Sequence, residues 1–167
     1  PLLAKVEDQI VDHFRNGGGV PYSEYTTFHQ IMAEASAARF DTLLVDTILP
    51  LVPNIIPQLD DGILVADVGC GSGHAVNVMG SAFPNSSFIG IDFSTEAVNV
   101  ALTEAEAMSL TNVDFYQQDA AEIETSEKFD FITTFDAVHD QARPREMVAS
   151  IFKVLKPGGY WLCADLC

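Results

Sequence analysis

The chain has 167 residues, 48% of them hydrophobic and 19% charged. That is the balance of one folded domain with a real core, not of a disordered segment. Eight Lys+Arg against 24 Asp+Glu give a formal net charge of −16, a surface that repels phosphate backbones and argues against nucleic acid as a partner.

Residues Leu2 to Asn16 place Leu3, Val6, Ile10 and Phe14 at helical spacing, and Gly17-Gly18-Gly19 ends that helix. An aromatic, proline-bearing stretch, Val20 to Tyr25, follows. A second helical pattern runs from about Thr27 to Leu49, with a break near Phe40-Asp41, and Pro50, Pro53 and Pro57 close it. Asp60-Asp61-Gly62 reads as a turn. Ile63 to Val68 is almost wholly apolar, as a strand buried on both faces of a parallel sheet should be. Gly69, Gly71 and Gly73 interrupt it, and Ala75 to Phe83 reads as a crossover helix ended by Pro84-Asn85-Ser86. Ser87 to Asp92 is a second strand. Ser94 caps a helix that presents Val98, Ala101, Leu102, Ala105 and Met108 on one face. Asn112 to Gln118 and Phe129 to Phe135 are the third and fourth strands. Pro144 opens a helix with Met147, Ile151 and Leu155 on one side. Pro157-Gly158-Gly159 terminates that helix, and Tyr160 to Leu166 is a fifth strand. Strands alternating with helices predict an α/β fold with a doubly wound, mostly parallel sheet.

Three cysteines, Cys70, Cys163 and Cys167, show neither a disulfide framework nor a C-x-x-C metal spacing. With no signal-peptide pattern at the first residues, a reducing cytoplasm is the expected setting. The apolar region Thr42 to Pro57 is broken by Asp46, Pro50, Pro53 and Pro57, so a membrane span is not expected there.

The turn Asp67-Val68-Gly69-Cys70-Gly71-Ser72-Gly73 decides which nucleotide the fold takes. The dinucleotide fingerprint is G-x-G-x-x-G; here the third glycine arrives one residue early, and His74 stands where the fingerprint has glycine. This string resembles the first motif of the class I S-adenosylmethionine-dependent methyltransferases, including the acid two residues before the first glycine and the cysteine inside the turn. Leu155-Lys156-Pro157-Gly158-Gly159 is similar to the L-x-P-G-G that precedes the fifth strand of that family. Gly18 to Tyr22 and Thr134 to Asp140 look like a small-molecule subgroup that carries a winged-helix segment further upstream. The resemblance implies a Rossmann-like methyltransferase fold over residues 59–167, with 1–58 as an N-terminal helical region and active-site lid. It also implies two more strands after the fifth. Since the chain stops at Cys167, we expect a chain truncated after the fifth strand, an exposed apolar edge, and association into homo-oligomers unless that edge is covered.

The resemblance assigns roles by position. Asp67 and the backbone of Gly69, Cys70, Gly71 and Gly73 are expected at the methionine end of S-adenosylmethionine, with Phe135 and Asp136. Asp92, 19 residues after Gly73, is expected on the ribose diol. Phe93 is expected on the adenine or in packing. Asp119 and Ala120 are expected at the adenine edge, with Asp119 as a plain helix cap the alternative. His139, four residues past the fourth strand, is the candidate general base, oriented by Asp140. Tyr22, Tyr25, Phe28 and Met32 form either a lid hinged on the triple glycine or a packing surface. A metal site built on Asp136, Asp140 and Asp165 is the lesser reading; His13, His29 and His74 show no metal spacing, so no metal is expected. The [DNS]-P-P-[YFW] motif of amino-directed DNA methyltransferases is replaced by Phe135-Asp136-Ala137-Val138. The expected function is methyl transfer to a small-molecule acceptor, with S-adenosylhomocysteine as product. The alternatives are a catalytically idle S-adenosylmethionine-binding or partner-binding module and an NAD-dependent oxidoreductase.

Overall fold

A computed structural model describes residues 6–20, 24 and 37–165. The chain divides into two compact units, 1–38 and 39–167. The first holds helix α1 (Glu7–Asn16), with Glu7 and Asp8 in its first turn and His13 and Arg15 in its last, the charge order a helix dipole favours. Gly17, at φ 79°, ends it. Tyr22, Tyr25, Phe28 and Met32 lie outside the described residues, as do Leu2 to Lys5 and 27–36 of the expected second helix.

The second unit begins at residue 39. Its first residues complete a helical run over 37–43 that passes into a π-helical turn, Leu44–Ile48, and a 3-10 turn, Leu49–Leu51. Phe40, Leu44, Leu49, Val52 and Ile55 are buried in one cluster with Val65, Phe88 and Phe131 of the sheet, which ties the segment ahead of residue 59 to the sheet. Residues 55–61, expected to run through proline into a turn, form helix α2 (Ile55–Asp61). Pro57 sits in its first turn, where a missing N–H costs nothing, and Gly62 at φ 108° closes it. Among the described residues no single helix is long and apolar enough to cross a membrane.

Then come β1 (Leu64–Val68), α3 (His74–Ala82), β2 (Ser87–Asp92), α4 (Thr95–Ala107), β3 (Val113–Gln117), β4 (Phe129–Phe135), α5 (Pro144–Val154) and β5 (Leu155–Ala164). The strands pair in parallel in the order β3-β2-β1-β4-β5. Strand β1 therefore sits between β2 and β4, where the direction of winding reverses, and the carboxyl ends of β1 and β4 open the crevice that ligands use in such sheets.

Successive residues of β1 point to opposite faces, and both faces are covered. Val65 faces α3 and α4 with Val76, Met79, Val98 and Ala101. Ala66 and Val68 face α5 with Met147, Ile151 and Val154. Each fully buried side chain of this kind contributes about 1.5–3 kcal/mol. One boundary differs from the sequence reading. Helix α5 ends at Val154 rather than at Pro157, because Leu155 already pairs with Phe129 in the sheet. The Pro157-Gly158-Gly159 stretch lies inside β5, beside a register shift between Phe129 and Phe131. Lys156 bridges Asp130 there at 2.8 Å, and Gly158 takes φ 84°.

Candidate active site

The turn after β1 is fastened to β2. The N–H groups of Gly69 and Cys70 donate to the Ile91 carbonyl at 2.8 and 3.1 Å. The N–H of Gly71 donates to Oδ2 of Asp92 at 2.8 Å, and Oδ1 of Asp92 accepts from the Ser94 N–H at 2.9 Å. Asp92 is 8% exposed, and its carboxylate holds the middle of the turn.

Two of the glycines are required by geometry. At Gly69, φ is 76°, and a Cβ would stand 2.6 Å from the Cβ of Ala137, so glycine lets the loop after β4 lie against the turn. At Gly73, φ is 75°, and a Cβ would stand 2.4 Å from Ala101 and 2.5 Å from the Phe115 ring. Gly73 is also the residue that caps α3.

Beneath the turn, Asp67 is buried and its Oδ1 accepts from the Thr133 hydroxyl at 2.6 Å. Burial pushes its pKa up to about 7; the Thr133 bond works the other way and the charge of Asp92 adds to the rise. Burial likewise pushes the Cys70 thiol well above its ordinary range, which removes it as a thiolate nucleophile.

Phe135 and Asp136 end β4 beside this turn. Phe40 packs against Phe135 with ring centroids 4.9 Å apart at 56°, and Arg39 Nη2 donates to Asp136 Oδ2 at 2.8 Å. Asp136 holds φ 50°, and its N–H bonds the Ala164 carbonyl at 2.8 Å. The Nε of Arg39 is buried without a partner among the described residues. Sequence reasoning missed Arg39, because nothing in its neighbourhood marks it out. It missed the companion contact as well: Asp41 Oδ1 bonds His74 Nε2 at 2.9 Å, while His74 Nδ1 bonds Glu104 Oε1 at 2.7 Å.

The residues expected at the adenine are less committed to a ligand. Phe93 is 51% exposed. Ala120 is buried in the 3-10 turn Ala120–Glu122, and Asp119 caps that turn through the Ala121 N–H at 2.8 Å. Its other oxygen accepts from Arg143 Nη2 at 2.8 Å. The capping role that the sequence left open is therefore the one the structure displays.

His139 needs a correction. Asp140 reaches its Nε2 only at 3.4 Å. The residue that orients the ring is Asp165, at the end of β5: its Oδ1 bonds His139 Nδ1, and its Oδ2 accepts from the N–H groups of Val138 and His139 at 2.8 and 3.2 Å. A structure was needed to see this, since the two residues are 26 apart in the chain. Among the described residues no three His, Cys, Asp or Glu side chains are arranged to hold a metal ion.

Comparison with known proteins shows the family. A model of a methyltransferase domain matches residues 59–167. The chain belongs to the class I S-adenosylmethionine-dependent methyltransferases, and S-adenosylmethionine is the cofactor of that family. It is 35% identical over 119 residues to the ubiquinone biosynthesis O-methyltransferase of Actinobacillus pleuropneumoniae, covering 66% of this chain and 50% of that one. It is similar in structure to the YcgJ protein of Bacillus subtilis, at 32% identity and a TM-score of 0.58 over 62% of this chain and 44% of that one. It shares a fold with PKMT2 of Rickettsia typhi, solved in complex with AdoHcy, at 23% identity and a TM-score of 0.58 over 64% and 21% of the two chains. The chain spans between about a quarter and just over half the length of the curated relatives it matches.

The residues present fit the cofactor. Asp67 is a buried carboxylate that no cation among the described residues pairs with, the complement of an α-ammonium. Arg39 offers a buried, unpartnered N–H near the Asp136 loop, the complement of a carboxylate. Asp92 keeps spare acceptor capacity, since an ionised carboxylate has about four lone-pair sites.

Proposed function

We propose that this chain is the cofactor-binding part of an enzyme that methylates a small-molecule acceptor. The observation that carries the proposal is the junction of Gly71 with Asp92, where the turn and the acid that ends β2 are held in one hydrogen-bonded unit beside the carboxyl end of β1. Asp67, Gly69, Cys70, Gly71, Gly73, Arg39, Phe135 and Asp136 would hold the methionine end. Asp92 would hold the ribose, with Phe93, Asp119 and Ala120 around the adenine. When bound, S-adenosylmethionine supplies an activated methyl group. The protein's task is then mainly alignment, which is worth roughly 7–11 kcal/mol of a two-reactant barrier.

A small-molecule acceptor is supported by the net charge of −16, which disfavours nucleic acid, and by the name of the similar ubiquinone biosynthesis O-methyltransferase. The experiment is a radiolabelled methyl-transfer assay on the full-length protein against a metabolite extract, with D92A as control. Label in extractable small molecules that disappears in the D92A variant supports the proposal. Label confined to protein or nucleic acid overturns the acceptor class, and no label above the D92A level overturns the activity.

A further inference from the structure

Three consecutive residues, Arg39, Phe40 and Asp41, touch the neighbours of both ends of the glycine turn. Arg39 donates to Asp136 at 2.8 Å and Phe40 packs on Phe135, both where β4 ends. The next residue of that loop, Ala137, lies against Gly69. At the other end His74 follows Gly73 and starts α3. Nε2 of His74 donates to Asp41 Oδ1 at 2.9 Å, and its Nδ1 donates to Glu104 Oε1 of α4 at 2.7 Å. Residues 39–41 are therefore a strap whose contacts flank the turn. The two carboxylates on the ring are not equivalent. Glu104 is held from within by the amide of Asn77, which is fully buried, at 2.7 Å. Asp41 is 59% exposed, against 33% for Glu104.

We propose that His74 is a positioning residue, a proton-dependent latch that holds the 39–41 strap beside the glycine turn and so tunes the affinity for the cofactor. The proposal rests on the proposed methyltransferase reading, in which the turn and Arg39 take the methionine end, and adds to it a control by pH. An imidazole carries two N–H donors only when protonated; the neutral ring has one N–H and one lone pair. With a carboxylate on each nitrogen, only the protonated ring donates to both. The neutral ring keeps its proton toward Glu104, which Asn77 fixes, and turns a lone pair to the Asp41 carboxylate. That contact becomes repulsive, Asp41 moves into solvent, and the strap is left on Arg39 and Phe40 alone.

Asp41 from the strap and Glu104 from α4 are the charged groups acting on the ring among the described residues, and Asn77 from its own helix is neutral. Burial favours the neutral ring, but the bonds to the two carboxylates and their charges outweigh it, so the pKa is raised above its ordinary value. The latch is thus closed below about pH 6.5 and opens as pH rises through the raised value. An ion pair with one exposed partner is weak, so the change in affinity is modest, about twofold to fivefold.

The test measures S-adenosylhomocysteine affinity of the full-length protein at pH 6 and at pH 9. Each variant is compared with wild type at the same pH, so that the titrations of the ligand and of Asp67 cancel. H74Q should bind about twofold to fivefold more weakly than wild type at pH 6 and equally at pH 9. The amide of D41N can accept from the protonated ring and donate to the neutral one, so it should hold the strap at both. D41N should therefore match wild type at pH 6 and bind about twofold to fivefold more tightly at pH 9, a gain that a merely structural role would not produce. Hydrogen exchange of the amides of residues 40–43, corrected for the intrinsic rate, reads the strap without ligand. Protection should fall in wild type between pH 6 and pH 9 and stay constant in D41N. A wild-type to H74Q affinity ratio that is the same at both pH values, or wild-type protection that does not change with pH, overturns the proposal. If H74Q fails to fold, D41N decides: protection or relative affinity that follows pH as in wild type overturns it. Absence of S-adenosylhomocysteine binding in wild type at both pH values would instead overturn the methyltransferase reading, and the ligand-free exchange separates the two failures.

Discussion

Asp92 closes the strand after the glycine turn and reaches back 21 residues to the N–H of Gly71, accepting it at 2.8 Å. One carboxylate thus ties the turn to the start of the next helix through the Gly71 and Ser94 N–H groups. A hydrogen bond to a charged group of this kind contributes about 1.5–3 kcal/mol. Asp92→Ala should lower the melting temperature by roughly 3–12 °C, at 2–4 °C per kcal/mol for a chain of this size. It should weaken S-adenosylhomocysteine binding at least about tenfold. Asp92→Asn should lose melting temperature as well as affinity, because its amide nitrogen would face one of the two N–H groups, of Gly71 and Ser94, that the two carboxylate oxygens accept. Differential scanning fluorimetry and calorimetric titration of the two variants check both halves.

Gly73 is required by the packing of two other elements. Gly73→Ala would set a methyl against Ala101 at 2.4 Å and the Phe115 ring at 2.5 Å, and would place a side chain in the left-handed region at a strain of about 1–3 kcal/mol. Gly71→Ala meets nothing within 4 Å and carries only the strain of its φ of 55°. Urea denaturation should therefore show Gly73→Ala as the more destabilised of the two by at least about 1 kcal/mol. Equal losses would mean that the turn, not its neighbours, sets the demand for glycine.

Asp67 gives a pH signature. Its pKa is raised to about 7 in the folded chain, against about 3.9 in an unfolded one. Between those values the folded state binds the extra proton, so this group's contribution to stability falls as pH rises from about 4 to about 7, by up to about 4 kcal/mol. Asp67→Asn should flatten that part of the profile. A bound α-ammonium favours the charged carboxylate, so S-adenosylhomocysteine binding near pH 6 should release a proton in wild type and none in D67N. Titration calorimetry in buffers of different ionisation enthalpy measures the release.

His74 acts at higher pH. Burial works against its protonation, but the bonds to Glu104 and Asp41 outweigh it, so its pKa is raised above 6.5. The stability it confers is fully present below about 6.5 and is lost as pH rises through the raised value. His74→Gln should remove a pH-dependent component on the order of 1 kcal/mol, small because Asp41 is 59% exposed. Chemical denaturation at pH 6 and at pH 9 should show wild type and variant converging at the upper pH.

Local patterns in the sequence were enough to place β1, β2 and β4. Buried parallel strands are apolar on both faces, and Asp67 to Gly73 is a contiguous string whose glycines answer to backbone angle. The start of β5 was not legible, because Leu155 leaves the helical pattern only by pairing with Phe129, 26 residues earlier. Helix α2 was hidden by Pro57, which reads as a breaker unless its place in the first turn is known. The partner of His139 was misread for a similar reason. Asp140 is adjacent in the chain, but Asp165 is adjacent in the sheet. Arg39 and Asp41 join the site only because the 39–51 segment packs on the sheet through Phe40, Leu44 and Leu49. Contacts made across strands carry no mark in the local pattern.

The most direct test of the account is a paired calorimetric titration of the full-length protein with S-adenosylhomocysteine and with NAD. We expect S-adenosylhomocysteine to bind at one site per chain, to lose at least about tenfold in affinity in the D92A variant, and NAD not to bind. Binding of NAD in place of S-adenosylhomocysteine, or an affinity for S-adenosylhomocysteine that D92A leaves unchanged, would contradict it.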